Sequence, residues 1–120
     1  MTKKEDRIYL EHILDSINAI KEFSENLTEE ELNTNRMKQN AIVREVEIIG
    51  EAIKNISESL KENHDEIPWK KISGTRDKIV HHYFGMNLEI IWNIIIHELP
   101  RLEKQIEHIK ISLEKEKENV

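Results

Sequence analysis

Apolar side chains in this sequence recur at alternating steps of three and four over three long stretches, and that period constrains the fold more than any other feature. On a 3.6-residue turn, such steps align along one face of a helix. Ile42, Val46, Ile49, Ile53, Ile56 and Leu60 give the cleanest stripe and predict a helix over residues 36–61. Ile13, Ile17, Ile20 and Leu27 predict another over residues 4–26. Leu88, Ile91, Ile95, Leu99, Leu102, Ile106, Ile109 and Leu113 carry the rhythm across Pro100. Proline removes an amide donor and clashes with the preceding turn, so a kink or restart is expected at residues 98–100.

Local signals punctuate these stretches. Thr28 and Glu31 have the spacing of a capping box at a helix start. Pro68 disfavours helical geometry at Ile67, which makes residues 63–69 the main interhelical loop. A shorter helix is expected over residues 75–84, with Gly85 as its left-handed terminator and Asn87 capping the next helix. Gly50 interrupts a strong helix where glycine costs about 0.5 to 1 kcal/mol relative to alanine, which predicts close approach of another backbone. Packing within the chain and a dimer interface account for Gly50 equally well. The mixed-charge tail, residues 114–120, is expected to fray.

Sheet signals are nearly absent, charged residues make up 35% of the chain, and there are only three glycines and two prolines, a balance that favours solvated helices. The stripes can close only against one another. The expected architecture is an all-α antiparallel bundle of four to five helices, one domain over residues 1–120. Its helices are too short and interrupted for an extended coiled-coil rod.

Composition narrows the chemistry. With no cysteine there is no disulfide, thiolate zinc site or thiol nucleophile, which suits a reducing compartment and a cytoplasmic address. The charged N-terminal residues lack the central region of a signal peptide, and no stretch approaches the roughly 18 to 20 apolar residues of a membrane span. His12, His64, His97 and His108 show no ligand spacing with carboxylates, so neither a metal nor a cofactor is expected. A net charge of −6 argues against a general polyanion binder. Its distribution is uneven: residues 1–66 hold 9 basic and 16 acidic side chains, whereas residues 69–83 set Lys70, Lys71, Arg76 and Lys78 against Asp77 alone.

That basic segment concentrates chemistry in Arg76-Asp77-Lys78-Ile79-Val80-His81-His82-Tyr83. An imidazole moves protons near neutral pH, and a guanidinium offers a planar fork to phosphate oxygens. A phenol can hydrogen-bond phosphate or position the imidazole. Together they suit RNA cleavage in which the substrate's 2′-hydroxyl is the nucleophile. On residue types alone, caps and surface contacts explain such side chains more often than catalysis does. Geometry adds a constraint, because residues five apart on a helix lie about 140° apart. Arg76 and Tyr83, seven apart, lie nearly in register, whereas His81 is brought in by arginine's long side chain, by loss of helical geometry toward Gly85, or by a two-fold axis that pairs two copies of the motif.

The pattern of Arg76 and a polar Asp77 followed by His81, His82 and Tyr83 resembles the signature of HEPN ribonucleases of the HepT-like branch. The flanks resemble that branch too: Glu47-Ile48-Ile49-Gly50-Glu51-Ala52, then Ile67-Pro68-Trp69 with Gly74, then Ile91-Trp92 with Leu99-Pro100. The resemblance spans about residues 5–112. It implies a HEPN-like homodimer whose paired motifs form an RNA-cleaving cleft, with Arg76 and His81 catalytic. It also implies a type VII toxin–antitoxin pair in which an MNT-type nucleotidyltransferase antitoxin adenylylates Tyr83, and cleavage of tRNA or mRNA. Asp77 stands where the branch often has asparagine; it can orient Arg76 but adds negative charge near a phosphate. Lys70, Lys71 and Lys78 are candidates for contact with RNA backbone, while His82, Trp69 and Trp92 read as structural. A noncatalytic HEPN scaffold that binds a nucleotidyltransferase or a nucleotide is the alternative function.

Overall fold

Two helices and a jointed third carry the apolar stripes into one core. The computed structural model describes residues 3–81 and 85–118, with side chains over 5–79 and 87–116. Among the described residues the fold is all-α apart from one very short hairpin, and no helix is long and apolar enough to cross a membrane. Helix α1 (Lys3–Ser24) ends where Asn26 enters the left-handed region at φ 59°, a conformation asparagine tolerates. Helix α2 (Glu29–Thr34) follows. Thr28 caps it by accepting from the Glu31 amide at 3.1 Å, and its hydroxyl donates to the Glu31 carboxylate.

Helix α3 (Arg36–Lys54) packs along α1, and Ile13, Ile17 and Ile20 meet Ile42, Val46, Ile49 and Ile53 in the buried cluster. The expected helix over 36–61 is broken. Ser57 has extended backbone and starts a separate helix, α4 (Glu58–Asn63), by accepting from the Leu60 amide. The break is held from a distance: buried Asp6 on α1 accepts from the Ser57 amide at 2.8 Å and from its hydroxyl at 2.7 Å. Ile56 and Leu60 stay buried, so the stripe continues although the helix does not.

Helix α5 (Trp69–Ser73) begins after Pro68, and Trp69 is a packing anchor, buried with its indole nitrogen donating to the His64 carbonyl at 3.0 Å. Helix α6 (Thr75–Ile79) is shorter than expected. Beyond it, strand β1 (Val80–His81) pairs antiparallel with β2 (Gly85–Met86), Val80 opposite Met86 and His81 opposite Gly85. The physical reason lies at the Ile79 carbonyl, which accepts the Asn87 amide at 2.7 Å. A continuing helix would need that carbonyl for position 83. Gly85 is thus a strand residue and not a helix terminator.

Asn87 caps helix α7 (Leu88–Asn93), its side chain accepting from the Ile90 amide. A π-helical turn (Ile94–Glu98) then leads into helix α8 (Leu99–Glu118). The restart expected before Pro100 is this wider turn, which accommodates one extra residue. It shifts the phase of the stripe: Ile94 is buried at 3% exposure, while Ile95, predicted for the core, is only partly buried. Helix α8 runs antiparallel to α1, with Arg7 bonded to Glu114 and Lys21 to Glu103 at opposite ends. The tail up to Glu118 remains helical where fraying was expected. Leu113 packs on the core and Glu114 is tied to Arg7.

Gly50 has an intramolecular reason. A Cβ there would sit 3.0 Å from the Ser73 backbone carbonyl oxygen, so glycine lets the end of α5 lie against α3 without either backbone giving way. Gly50→Ala gains about 1 kcal/mol of helix propensity but forces two backbones apart, at a typical cost of about 1 to 3 kcal/mol. Urea unfolding is expected to show a net loss of stability. Asp6→Ala leaves the buried Ser57 amide without its acceptor, and unsatisfied buried donors cost about 1 to 3 kcal/mol. The same measurement should show that loss with the helical signal otherwise retained.

Candidate active site

Helix α5 contacts α3 at Gly50, and the chain passes through Gly74 directly into α6. Thr75 locks this junction, its hydroxyl donating to the Lys71 carbonyl at 3.1 Å from a buried position. Arg76 follows at once, so the backbone contact at Gly50 determines where its side chain emerges. Glu47 stands three residues before Gly50, on the same face of α3. The Arg76 Nε lies 3.7 Å from Glu47 Oε1, and its Nη1 lies 3.6 Å from Asp77 Oδ1. Both separations exceed hydrogen-bond length, so the carboxylates hold the charge without occupying the fork. The guanidinium is 49% exposed and remains open to an incoming anion.

Arg76 and Asp77 line an open groove with Tyr9 and His12 from α1 and Arg44, Glu47 and Gly50 from α3. Arg44 reaches the other oxygen of Glu47 at 4.0 Å, so one carboxylate holds guanidinium groups from two helices. Tyr9 and His12 form an edge-to-face pair with ring centroids 6.0 Å apart. Lys70 and Lys71 are exposed but line a different depression, beside Trp69 and Glu58. Lys78 is exposed on α6. The structure therefore brings Asp77 to Arg76 and leaves Lys70 and Lys71 outside that groove.

His81 enters through its backbone, two residues beyond the end of α6 and opposite Gly85. Its side chain lies outside the described set, and Tyr83 and His82 lie outside the described residues altogether. Among the described residues, no group of three or more His, Asp or Glu could hold a metal ion.

The description "Ribonuclease HepT-like" belongs to the family model that matches this chain, over residues 13–109. The chain belongs to the HepT-like ribonuclease family. Similar proteins extend the match to nearly full length. A candidate RNase of Methanocaldococcus jannaschii is 41% identical over 119 residues, covering 99% of this chain and 98% of the relative. Another, from Caldanaerobacter subterraneus, is 45% identical over 114 residues, 95% of this chain and 99% of its own. A third, "Probable ribonuclease HepT" of Thermococcus cleftensis, is 36% identical over 108 residues, 90% of this chain and 98% of the relative. No solved structure matches the chain.

Within this HepT-like frame, sequence reasoning singled out Arg76, Asp77 and His81 but missed the groove's far wall. Glu47 was legible only as a landmark of resemblance. Its spacing from Gly50 is the one local signal that could have marked it. Tyr9 and His12 carry no local signal, because α1 meets α3 only through the tertiary fold.

Proposed function

We propose that this HepT-like chain is a metal-independent endoribonuclease toxin of a type VII toxin–antitoxin pair, with Arg76 and His81 as its catalytic groups. The supporting observation is the end of α6 at Ile79. Because the helix stops between Arg76 and His81, the roughly 140° offset that a continuous helix would impose does not apply. A half-exposed guanidinium at the groove is followed within a few residues by a β-hairpin carrying the imidazole.

In this reading the substrate's 2′-hydroxyl attacks the adjacent phosphorus. The O2′–P bond forms, the P–O5′ bond breaks, and a proton passes from O2′ to O5′ overall. His81 moves that proton as general base or acid, and Arg76 stabilises the charge on the phosphoryl oxygens. Two copies related by a two-fold axis would supply two imidazoles, one for each role. Asp77 orients Arg76, Tyr83 positions substrate, and Lys70, Lys71 and Lys78 contact RNA backbone. The substrate is tRNA or mRNA in the cytoplasm. An MNT-type antitoxin would adenylylate Tyr83 with ATP as donor. The phenol oxygen bonds to the α-phosphorus, the α–β anhydride bond breaks, and pyrophosphate leaves with the phenol proton released to solvent. Negative charge and bulk are thereby added where phosphate must bind.

A noncatalytic scaffold for a nucleotidyltransferase is the second reading. It is favoured by the groove's equal numbers of Lys or Arg and carboxylate side chains, three of each, a poor match for bare polyanion binding. Cleavage assays separate the two. Arg76→Ala and His81→Ala are each expected to lower the rate of RNA cleavage by about 100-fold or more while circular dichroism and sedimentation stay unchanged. Wild-type activity in either variant removes that residue from the mechanism. Absence of cleavage in the wild type, with a nucleotidyltransferase still bound, selects the scaffold. Co-expressed with its antitoxin, the wild type should gain one or more nucleotide masses and lose activity. Tyr83→Phe should gain none, and mass spectrometry reads the difference.

A further inference from the structure

The groove extends well beyond Arg76, and the reaction outlined above leaves its α1 wall unused. Tyr9 and His12 stand edge-to-face there, Tyr9 partly buried against the core and His12 exposed, so His12 is the ring with a face open to a ligand. Aromatic side chains hold unpaired bases by stacking, which is how single-stranded RNA is usually recognised. Across from them stands Arg44, with a side chain 70% exposed and bound to Glu47 only at 4.0 Å. An exposed ion pair of that length contributes little, so Arg44 can exchange its carboxylate for a phosphate at small cost. Arg76 reaches the other oxygen of the same Glu47, so both guanidinium groups gather around one carboxylate in the groove.

Charge balance decides what kind of ligand fits. Arg44, Lys54 and Arg76 face Glu47, Glu51 and Asp77. A surface so balanced does not attract polyanion at long range, so affinity has to come from short-range contacts to one or two nucleotides. We propose that the groove between α1 and α3 holds the nucleotide next to the scissile linkage, with its base on the His12 ring, which Tyr9 buttresses edge-on, and its phosphate on Arg44. The ligand class is single-stranded RNA with an unpaired base at that position. The inference rests on the endoribonuclease reading for which linkage is cut, and on the groove alone for binding.

The test uses the full chain and a short fluorescent single-stranded RNA whose 2′-hydroxyls are methylated, so that binding is read without cleavage. Substitutions His12→Ala and Arg44→Gln both change exposed side chains and should leave thermal unfolding unchanged. By fluorescence anisotropy, each is expected to weaken binding about tenfold, the scale of one lost stacking or charged contact. With an abasic oligonucleotide of the same length, the His12→Ala defect should vanish and the Arg44→Gln defect persist. In unmethylated RNA, His12→Ala should change which linkages are cut. Unchanged affinity in both variants overturns the subsite, even if the wild type cleaves RNA. A wild type that binds with His12 and Arg44 dependence but cleaves nothing supports the subsite and defeats the endoribonuclease reading. Loss of self-association in either variant, with sedimentation showing monomers and RNA affinity intact, assigns the groove to a second copy of the chain and overturns the proposal.

Discussion

The approach of two backbones at Gly50 governs the geometry of the candidate site. Helix α3 is the central strut of the core, and α5 rests this closely on it because position 50 carries no Cβ in front of the Ser73 carbonyl. With α5 fixed, Gly74 and the Thr75 hydroxyl start α6 at a set point, and Arg76 emerges beside Glu47. A site built in this way is stiff where it meets α3. It needs few ion pairs of its own, and the long contacts around Arg76 fit that economy. Packing positions the guanidinium, and the carboxylates only bias its direction.

The helices were legible in the sequence because their cause is local. A three-four period is a property of neighbouring residues, and Ile42, Val46, Ile49 and Ile53 are buried where that period puts them. The departures have nonlocal causes. Ser57 is a cap-type residue followed by acidic Glu58, but the unbroken apolar stripe through Ile56 and Leu60 masks that signal; Asp6 holds the break from fifty-one residues away by taking both the amide and the hydroxyl. The hairpin after Ile79 likewise depends on the Asn87 amide reaching back to the Ile79 carbonyl. Pro100 announced a perturbation of the last helix but not its form, since Ile94-Ile95-Ile96 offers an apolar residue to the core in any phase. The π-helical turn is what selects Ile94.

The candidate site divides in the same way. Arg76, Asp77 and His81 stand close in sequence, and their types and spacing, joined to the flanking landmarks, were enough to mark them. The opposite wall comes from α1 and α3, and no local pattern ties Tyr9 or His12 to Arg76. Their association follows from two helix contacts, α1 on α3 and α3 on α6. Sequence reasoning also grouped Lys70 and Lys71 with Arg76 on the strength of shared charge. The bend at Gly74 separates them, because α5 turns its lysines toward a depression that Arg76 does not line.

This separation bears on how an acidic chain can act on a polyanion. The net charge of −6 repels RNA at long range, and a groove with its cations matched by carboxylates does not reverse that field. On the proposed reading, recognition is made at contact distance, where a loose ion pair is exchanged for a phosphate and an exposed aromatic ring takes a base. Such a surface gains little from the uniform backbone of a duplex, whose bases are already stacked. It gains more from a loop or an unpaired end, where base and phosphate are both free to be held. On the proposed subsite, selectivity for unpaired RNA would follow from this charge balance.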